Sequence, residues 1–392
     1  MFWSPLKKNN WPIALDIGSD SIKMLQLGED GGQIVVSACG RWKFAADAPA
    51  DDEQRRKLAV TAVREMLSAA PFRGRKVVSA LPCSRLGIKN IRLPHLPAHE
   101  LREAIRWEAE ERFNFPVSPD RLKYLHAGQI RQGSETQDEV IMIAATEETV
   151  ESHLAMIQEV GLQAEAIDVE PVALFRVVER FLRRQADSDA VSVVLDLGAE
   201  GTRVVVARGR QIVFIKSIDI AGRRFTEAAA KQLNLSYAET AELRSLILDE
   251  HSEDARQPQD APRGAAAAGV SQSVGWTIHD AVRGEVEAMA REVALCLRYC
   301  SVTFRGLRPT SVTISGGQAY DPSVVQLLGE QLSVECAVGQ PLKGINVSNA
   351  PLGGNRRGRL AEWALCTGLA IRGADFEQVS GETSDGLDRL SA

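Results

Sequence analysis

The alternation of apolar and polar positions divides the chain into strands and helices in a recurring order. Apolar, β-rich runs at 13–17, 22–27 and 34–44 predict three strands. The break before the third contains Asp30-Gly31-Gly32, a hairpin signal because glycine accepts the positive φ of a tight turn. A helix is expected over 52–70 and an apolar strand over 76–81. Next come a strand at 86–93 and an amphipathic helix at 100–113, with Leu101, Ile105, Ala109 and Phe113 at four-residue steps. Pro116 and Pro119 close that helix. Strands at 121–131 and 139–145 follow, then a helix at 147–160 that stops at Gly161.

A second series resembles the first. A strand at 164–169 and a helix at 171–184 lead into strands at 191–198, 202–207 and 211–220. Helices are expected at 223–233 and 237–248, a long helix at 276–305, a strand at 311–314 ending in Ser315-Gly316-Gly317, a helix starting near Asp321, and a last helix at 359–372. Residues 249–275 have no periodicity and little apolar surface to offset the entropy of ordering, so a disordered insertion is expected there. Residues 373–392 read as a flexible acidic tail.

Composition narrows the class. The chain has 392 residues, 44% hydrophobic and 25% charged, ordinary for a soluble globular protein. Asp and Glu (52) outnumber Lys and Arg (46), a net charge of −6, which lacks the basic footprint of a nucleic-acid binder. The six cysteines form no C-x-x-C pair and the six histidines form no ligand cluster, which fits a reducing, cytoplasmic setting. No targeting segment or membrane span is expected, since no run approaches about 18 apolar residues.

One local pattern occurs twice. Residues 15–23 read LDIGSDSIK and residues 195–203 read LDLGAEGTR. In both, an apolar strand ends in Asp-x-Gly, and a short polar turn returns into a second strand. Amides in such a turn point into one concavity and hold phosphate oxygens. Ser19, Ser21 and Thr202 would add hydroxyl donors, and Lys23 and Arg203 would add positive charge if they turn inward. Asp16 and Asp196 offer hard oxygen ligands for Mg²⁺ through its waters. Gly316 and Gly317 after a late strand would let a nucleoside approach the backbone.

The paired Asp-x-Gly hairpins and the late Ser-Gly-Gly resemble the actin-like ATPase superfamily. Within it the chain is similar to the PilM family of type IV pilus assembly, related to FtsA. The segments ELREAIRWEAEERFNFP (100–116), AATEETVESHLAMIQEVGLQAEAIDVEP (144–171) and DIAGRRFTE (219–227) carry that likeness. The resemblance implies an α/β, two-lobed actin-like (ribonuclease H-like) fold. Residues 12–82 would begin the first lobe, 83–163 would form a small α+β inserted subdomain, 164–190 would complete the first lobe, and 191–372 would form the second.

The resemblance also implies ATP and Mg²⁺ in the cleft. Asp16, Gly18, Ser19, Ser21 and Lys23 would form one phosphate loop, and Asp196, Gly198 and Thr202 the other. Gly222, Gly316 and Gly317 would frame the nucleoside, and Asp16 and Asp196 would position metal and water. The partner implied is a PilN-like inner-membrane protein, whose cytoplasmic N-terminal peptide docks in a groove beside the insert; self-association is a further option. Asp20 and Glu200 depart from the small residues usual in these turns and would weaken phosphate binding if they faced it. The resulting expectation is a cytoplasmic ATP-binding scaffold of pilus, competence or secretion machinery, at most a slow ATPase. The alternatives are an FtsA-like filament protein and a sugar-kinase-type phosphotransferase. The polar end of the chain lacks the former's amphipathic helix, and the first lobe shows no general base for the latter. G-x-x-x-x-G-K-[ST] and G-x-G-x-x-G are absent, which leaves P-loop and Rossmann readings without a motif.

Overall fold

Strand pairing in the computed structural model repeats one order twice. The structure describes residues 11–46, 48, 51–132, 135–253, 272–304, 306–348, 350–352 and 359–372. In the first half β1 (Ile13–Ile17), β2 (Ser21–Asp30) and β3 (Gln33–Lys43) form an antiparallel meander. Strands β4 (Lys76–Leu81) and β8 (Gln163–Val169) add parallel beyond β1, giving the order β3-β2-β1-β4-β8. In the second half β9 (Val191–Leu197), β10 (Thr202–Arg208) and β11 (Gln211–Ile218) form the meander. There β12 (Ser311–Ser315) and β13 (Glu335–Val338) add parallel, giving β11-β10-β9-β12-β13. Strands such as β1 and β9 are nearly continuous apolar runs because both faces of each sheet are covered.

A third, antiparallel sheet interrupts the first half. It consists of β5 (Leu86–Pro94), β6 (Leu122–Gln132) and β7 (Glu135–Ala145) in the order β5-β7-β6. Helix α2 (Ala98–Arg112) lays Leu101, Ile105 and Ala109 on it, against Ile91, Leu93, Val140 and Met142. The expected insert ran to residue 163, but α3 (Glu147–Glu159) packs elsewhere. Its Met156 and Ile157 join Ile13, Leu15 and Val63 in the core of the first sheet, beside α1 (Asp52–Ala69). The apolar side of α3 therefore belongs to the first lobe, and the inserted sheet ends at Ala145.

Two helices lie between the large sheets. Helix α4 (Glu170–Glu179) and α9 (Ala364–Arg372) share one core cluster with Ala14 and Leu25 of the first sheet and Val194 and Val205 of the second. They cross at Gly368, where a Cβ would overlap the carbonyl oxygen of Ala173, and Arg176 Nη1 donates to the Gly368 carbonyl at 2.8 Å. The outer face of the second sheet is covered by α5 (Gly222–Leu233), α7 (Gln272–Thr303) and α8 (Pro322–Leu332). Helix α6 (Tyr237–Glu253) packs on α5.

Other boundaries differ from expectation. Helix α4 stops at Glu179 rather than 184, and α9 starts at Ala364 after a 3₁₀ turn over Ala361–Trp363. Of the insertion expected to be disordered, residues 249–253 continue α6 and 272–275 begin α7. Residues 254–271 and 373–392 lie outside the described residues. No helix among the described residues is long and apolar enough to cross a membrane.

Candidate functional site

The repeated hairpins put a carboxylate and a cation at the same register in both halves. Asp16 on β1 pairs across to Lys23 on β2, and Asp196 on β9 pairs across to Arg203 on β10. Residues facing each other across antiparallel strands point to one side of the sheet, so each aspartate meets its cation. Lys23 Nζ lies 3.2 Å from Asp16 Oδ2 and Arg203 Nη1 lies 3.6 Å from Asp196 Oδ2, all four side chains largely buried. The charges of Asp16 and Lys23 both act on Asp196. Burial pushes the Asp196 carboxyl up, Arg203 pulls it back, and Glu170 and Asp16 add to a net rise.

Lys23 and Arg203 do turn inward, but both serve carboxylates. Arg203 makes a bidentate pair with Glu170 at the start of α4, Nε and Nη2 each 2.8 Å from a carboxylate oxygen. Glu170 also accepts the Cys83 amide at 2.9 Å. Burial acts to lower the Arg203 pKa, but the charges of Glu170 and Asp196 outweigh it and hold it above its usual value. Ser315 completes the floor, its hydroxyl 3.2 Å from Asp196 Oδ1. Glu170 and the Ser315 side chain have roles that a linear reading did not assign. The only prior signals were Glu-Pro at a helix start and the serine before Gly316-Gly317.

The turn tips form a cradle. Gly18 N–H donates to the Ser21 carbonyl at 3.0 Å and Gly198 N–H to the Gly201 carbonyl at 3.1 Å, which closes each turn. The amides of Ser19, Asp20, Ala199 and Glu200 then donate to nothing among the described residues. Ser19 is exposed at its tip, whereas the Ser21 side chain is buried. Thr202, expected as a hydroxyl donor to phosphate, gives its proton to the Ile220 carbonyl at 2.7 Å and is fully buried. Its place on β10 turns it into the sheet core, away from the turn. Asp20 and Glu200 are both exposed, and Glu200 pairs with Arg223 at 2.8 Å.

The late glycines face the start of α5. Gly316 has φ of 89°, and a Cβ there would overlap the Leu197 carbonyl oxygen, so only glycine fits. Gly317 has open space where its side chain would stand, and Gly222 lies across from the Gln318 amide. Arg244 of α6 joins these walls and is buried. It donates to the Gly222 carbonyl at 3.1 Å, Thr226 Oγ1 at 2.8 Å and Gln318 Oε1 at 2.7 Å. The structure thus brings the charges of Asp16 and Lys23 to bear on Asp196, sets Gly198 beside Gly222 and Gly316 against Leu197, leaves Gly18, Ser19 and Gly317 at turns, and buries Ser21 and Thr202 within their strands. Among the described residues no three His, Cys, Asp or Glu side chains are set to hold a metal ion.

Two lobes that repeat one strand order, with paired Asp-x-Gly hairpins at their seam, define an actin-like fold. The family model for the type IV pilus assembly protein PilM matches residues 14–254, and the chain belongs to that family. A solved PilM-PilN type IV pilus biogenesis complex is similar, with a TM-score of 0.71 and 24% identity over 92% of this chain and 98% of that one. The ethanolamine utilization protein EutJ from Carboxydothermus hydrogenoformans shares the fold more distantly. Its TM-score is 0.52 and its identity 14%, over 94% of this chain and 91% of that one.

Proposed function

We propose that this chain is an ATP-binding docking platform of type IV pilus assembly or a related secretion or competence machine. The observation that carries the nucleotide half is the pair of hairpin tips with undonated amides above Asp16 and Asp196. Amides aimed into one concavity suit phosphate oxygens. Two buried carboxylates without a third ligand suit Mg²⁺ held mainly through water and phosphate. Lys23 and Arg203 keep those carboxylates oriented rather than meeting phosphate themselves. Glu200, neutralised by Arg223, does not repel an anion at its turn. Gly316 and Gly317, opposite Gly222, leave room for the nucleoside against bare backbone. Hydrolysis is at most slow on this reading, because among the described residues no side chain beyond this carboxylate floor is assigned to activate water.

The partner half rests on the similarity to the solved complex of PilM with PilN. A PilN-like membrane protein would bring this chain to the membrane surface through a short cytoplasmic peptide. A cavity of about 210 Å³ beside the inserted sheet suits that role, lined by Gln129, Ile130 and Arg131 of β6 and by Arg208, Thr303 and Phe304.

Calorimetric titration with Mg²⁺-ATP tests the nucleotide reading, with Asp16→Ala and Asp196→Ala confirmed as folded by circular dichroism. Saturable binding to wild type that weakens at least tenfold in both variants is expected. Folded wild type that binds no nucleotide, or variants that bind as wild type does, overturns it. Titration with the cytoplasmic N-terminal peptide of a PilN-like protein tests the partner half separately: saturable binding is expected, and its absence overturns that half alone.

A further inference from the structure

We propose that a second copy of this chain docks head to tail, Trp107 of one copy seated in the groove between α4 and β13 of the next. The proposal goes beyond the nucleotide and PilN readings and depends on neither.

The groove encloses about 310 Å³, at the low end of the range for small-ligand pockets and wide enough for a large aromatic side chain. Its walls are apolar: Leu174, Val177 and Val178 of α4 on one side, Val338 and Pro341 on the other. Phe181 stands at the mouth with 49% of its surface exposed. The rim is cationic. The Arg180 guanidinium lies 4.4 Å from the Phe181 ring centre and Lys343 Nζ lies 6.0 Å from it. Arg183 is exposed beside them. None of the three makes an ion pair among the described residues, and Arg180 spends its donors on the carbonyls of Val177, Pro341 and Lys343. A cation-rimmed apolar groove without carboxylates calls for an acidic occupant with an apolar centre.

The chain carries such a feature on another face. Trp107 on α2 is 72% exposed, the most exposed of the chain's described tryptophans. Glu103, Glu110 and Glu111 lie four residues before it and three and four after, so they surround it on the helix surface. All three are exposed and unpaired among the described residues. Tryptophan is enriched among the residues that anchor interfaces, and complementary charge around it steers and orients the encounter. Knob and groove occupy different faces, so the contact is heterologous and does not close on itself in a dimer.

Sedimentation velocity over about 5–200 µM at low salt tests the contact. Wild type is expected to form concentration-dependent oligomers that dissociate as salt rises. Trp107→Ala lacks the knob, and Arg183→Glu/Lys343→Glu lacks the rim; all three side chains are exposed, so both variants fold. Each variant alone is expected to be monomeric. Mixed, they are expected to form a 1:1 dimer and nothing longer, because one intact knob meets one intact groove. Wild type monomeric at about 200 µM, or association unchanged in either variant, overturns the proposal. So does a monomeric wild type in which Trp107 and Lys343 are both needed to bind the PilN peptide, since the occupant would then be PilN.

Discussion

Replacing Arg203 by Met removes the cation that holds three elements of the cleft floor. Methionine keeps the length and apolar stem of the side chain, so packing changes little. What is lost is charge. Glu170 and Asp196 are left buried, their side chains only 4% and 10% exposed, with Lys23 already committed to Asp16. Removing one partner of a buried ion pair costs about 3–5 kcal/mol, most of it the penalty on the orphaned charge. The cost depends on pH in a defined direction. Burial already holds the Asp196 carboxyl above its usual value with Arg203 beside it, and loss of that cation raises it further above the unfolded value. The folded state then binds more protons than the unfolded one, and stability grows as pH falls. One proton taken up recovers at most about 1.4 kcal/mol per pH unit. Urea denaturation followed by circular dichroism at about pH 7.5 and about pH 5 measures both values. A loss near 4 kcal/mol at the higher pH that shrinks by about 1–3 kcal/mol at the lower is expected from the cited ion-pair and linkage magnitudes. A loss below about 1 kcal/mol, or one equal at both values, refutes the claim that Arg203 neutralises a buried carboxylate cluster.

Two further changes probe particular assignments. Thr202→Val leaves the Ile220 carbonyl without its 2.7 Å donor and is expected to cost about 1–2 kcal/mol in thermal denaturation, with Mg²⁺-ATP affinity within twofold of wild type; a tenfold loss of affinity would return Thr202 to the phosphate site. Asp138 is buried in the insert, with His126 Nε2 at 3.0 Å and His95 Nδ1 at 3.1 Å. Burial pushes its carboxyl up, but the two histidine hydrogen bonds outweigh that and leave it below the usual range. Its contribution is present above the unfolded carboxyl value near 3.9 and is lost as pH falls through the lower folded value, so wild type and Asp138→Asn are expected to differ by about 1–3 kcal/mol at neutral pH and to converge as pH falls below that folded value.

The strands of both halves could be read along the chain because their signals are local: long apolar runs, Asp-x-Gly ends and glycine turns. Strand β13 escaped because four residues, Glu335–Val338, are too few for alternation to register. The aspartates and glycines proposed for the cleft stand out along the chain for the same local reason. Thr202 was misjudged because a hydroxyl's direction depends on which face of the strand it occupies and on a carbonyl 18 residues away. Glu170 and Arg244 were invisible as site residues because their partners are tertiary. Glu170 meets Arg203 across 33 residues, and Arg244 meets Gln318 across 74. Helix α3 was assigned to the insert by adjacency, whereas its buried Met156 and Ile157 decided its place.

The crossing of α4 and α9 at Gly368 sets the mechanics of the two halves. Backbone touches backbone there, with no side chain between to compress, and the Arg176 guanidinium is laced to a carbonyl at the same point. Both sheets rest on this helix pair. A single methyl group added at Gly368 would meet the Ala173 carbonyl and force the two helices apart, and because both sheets pack on the pair, the core they share would open with it.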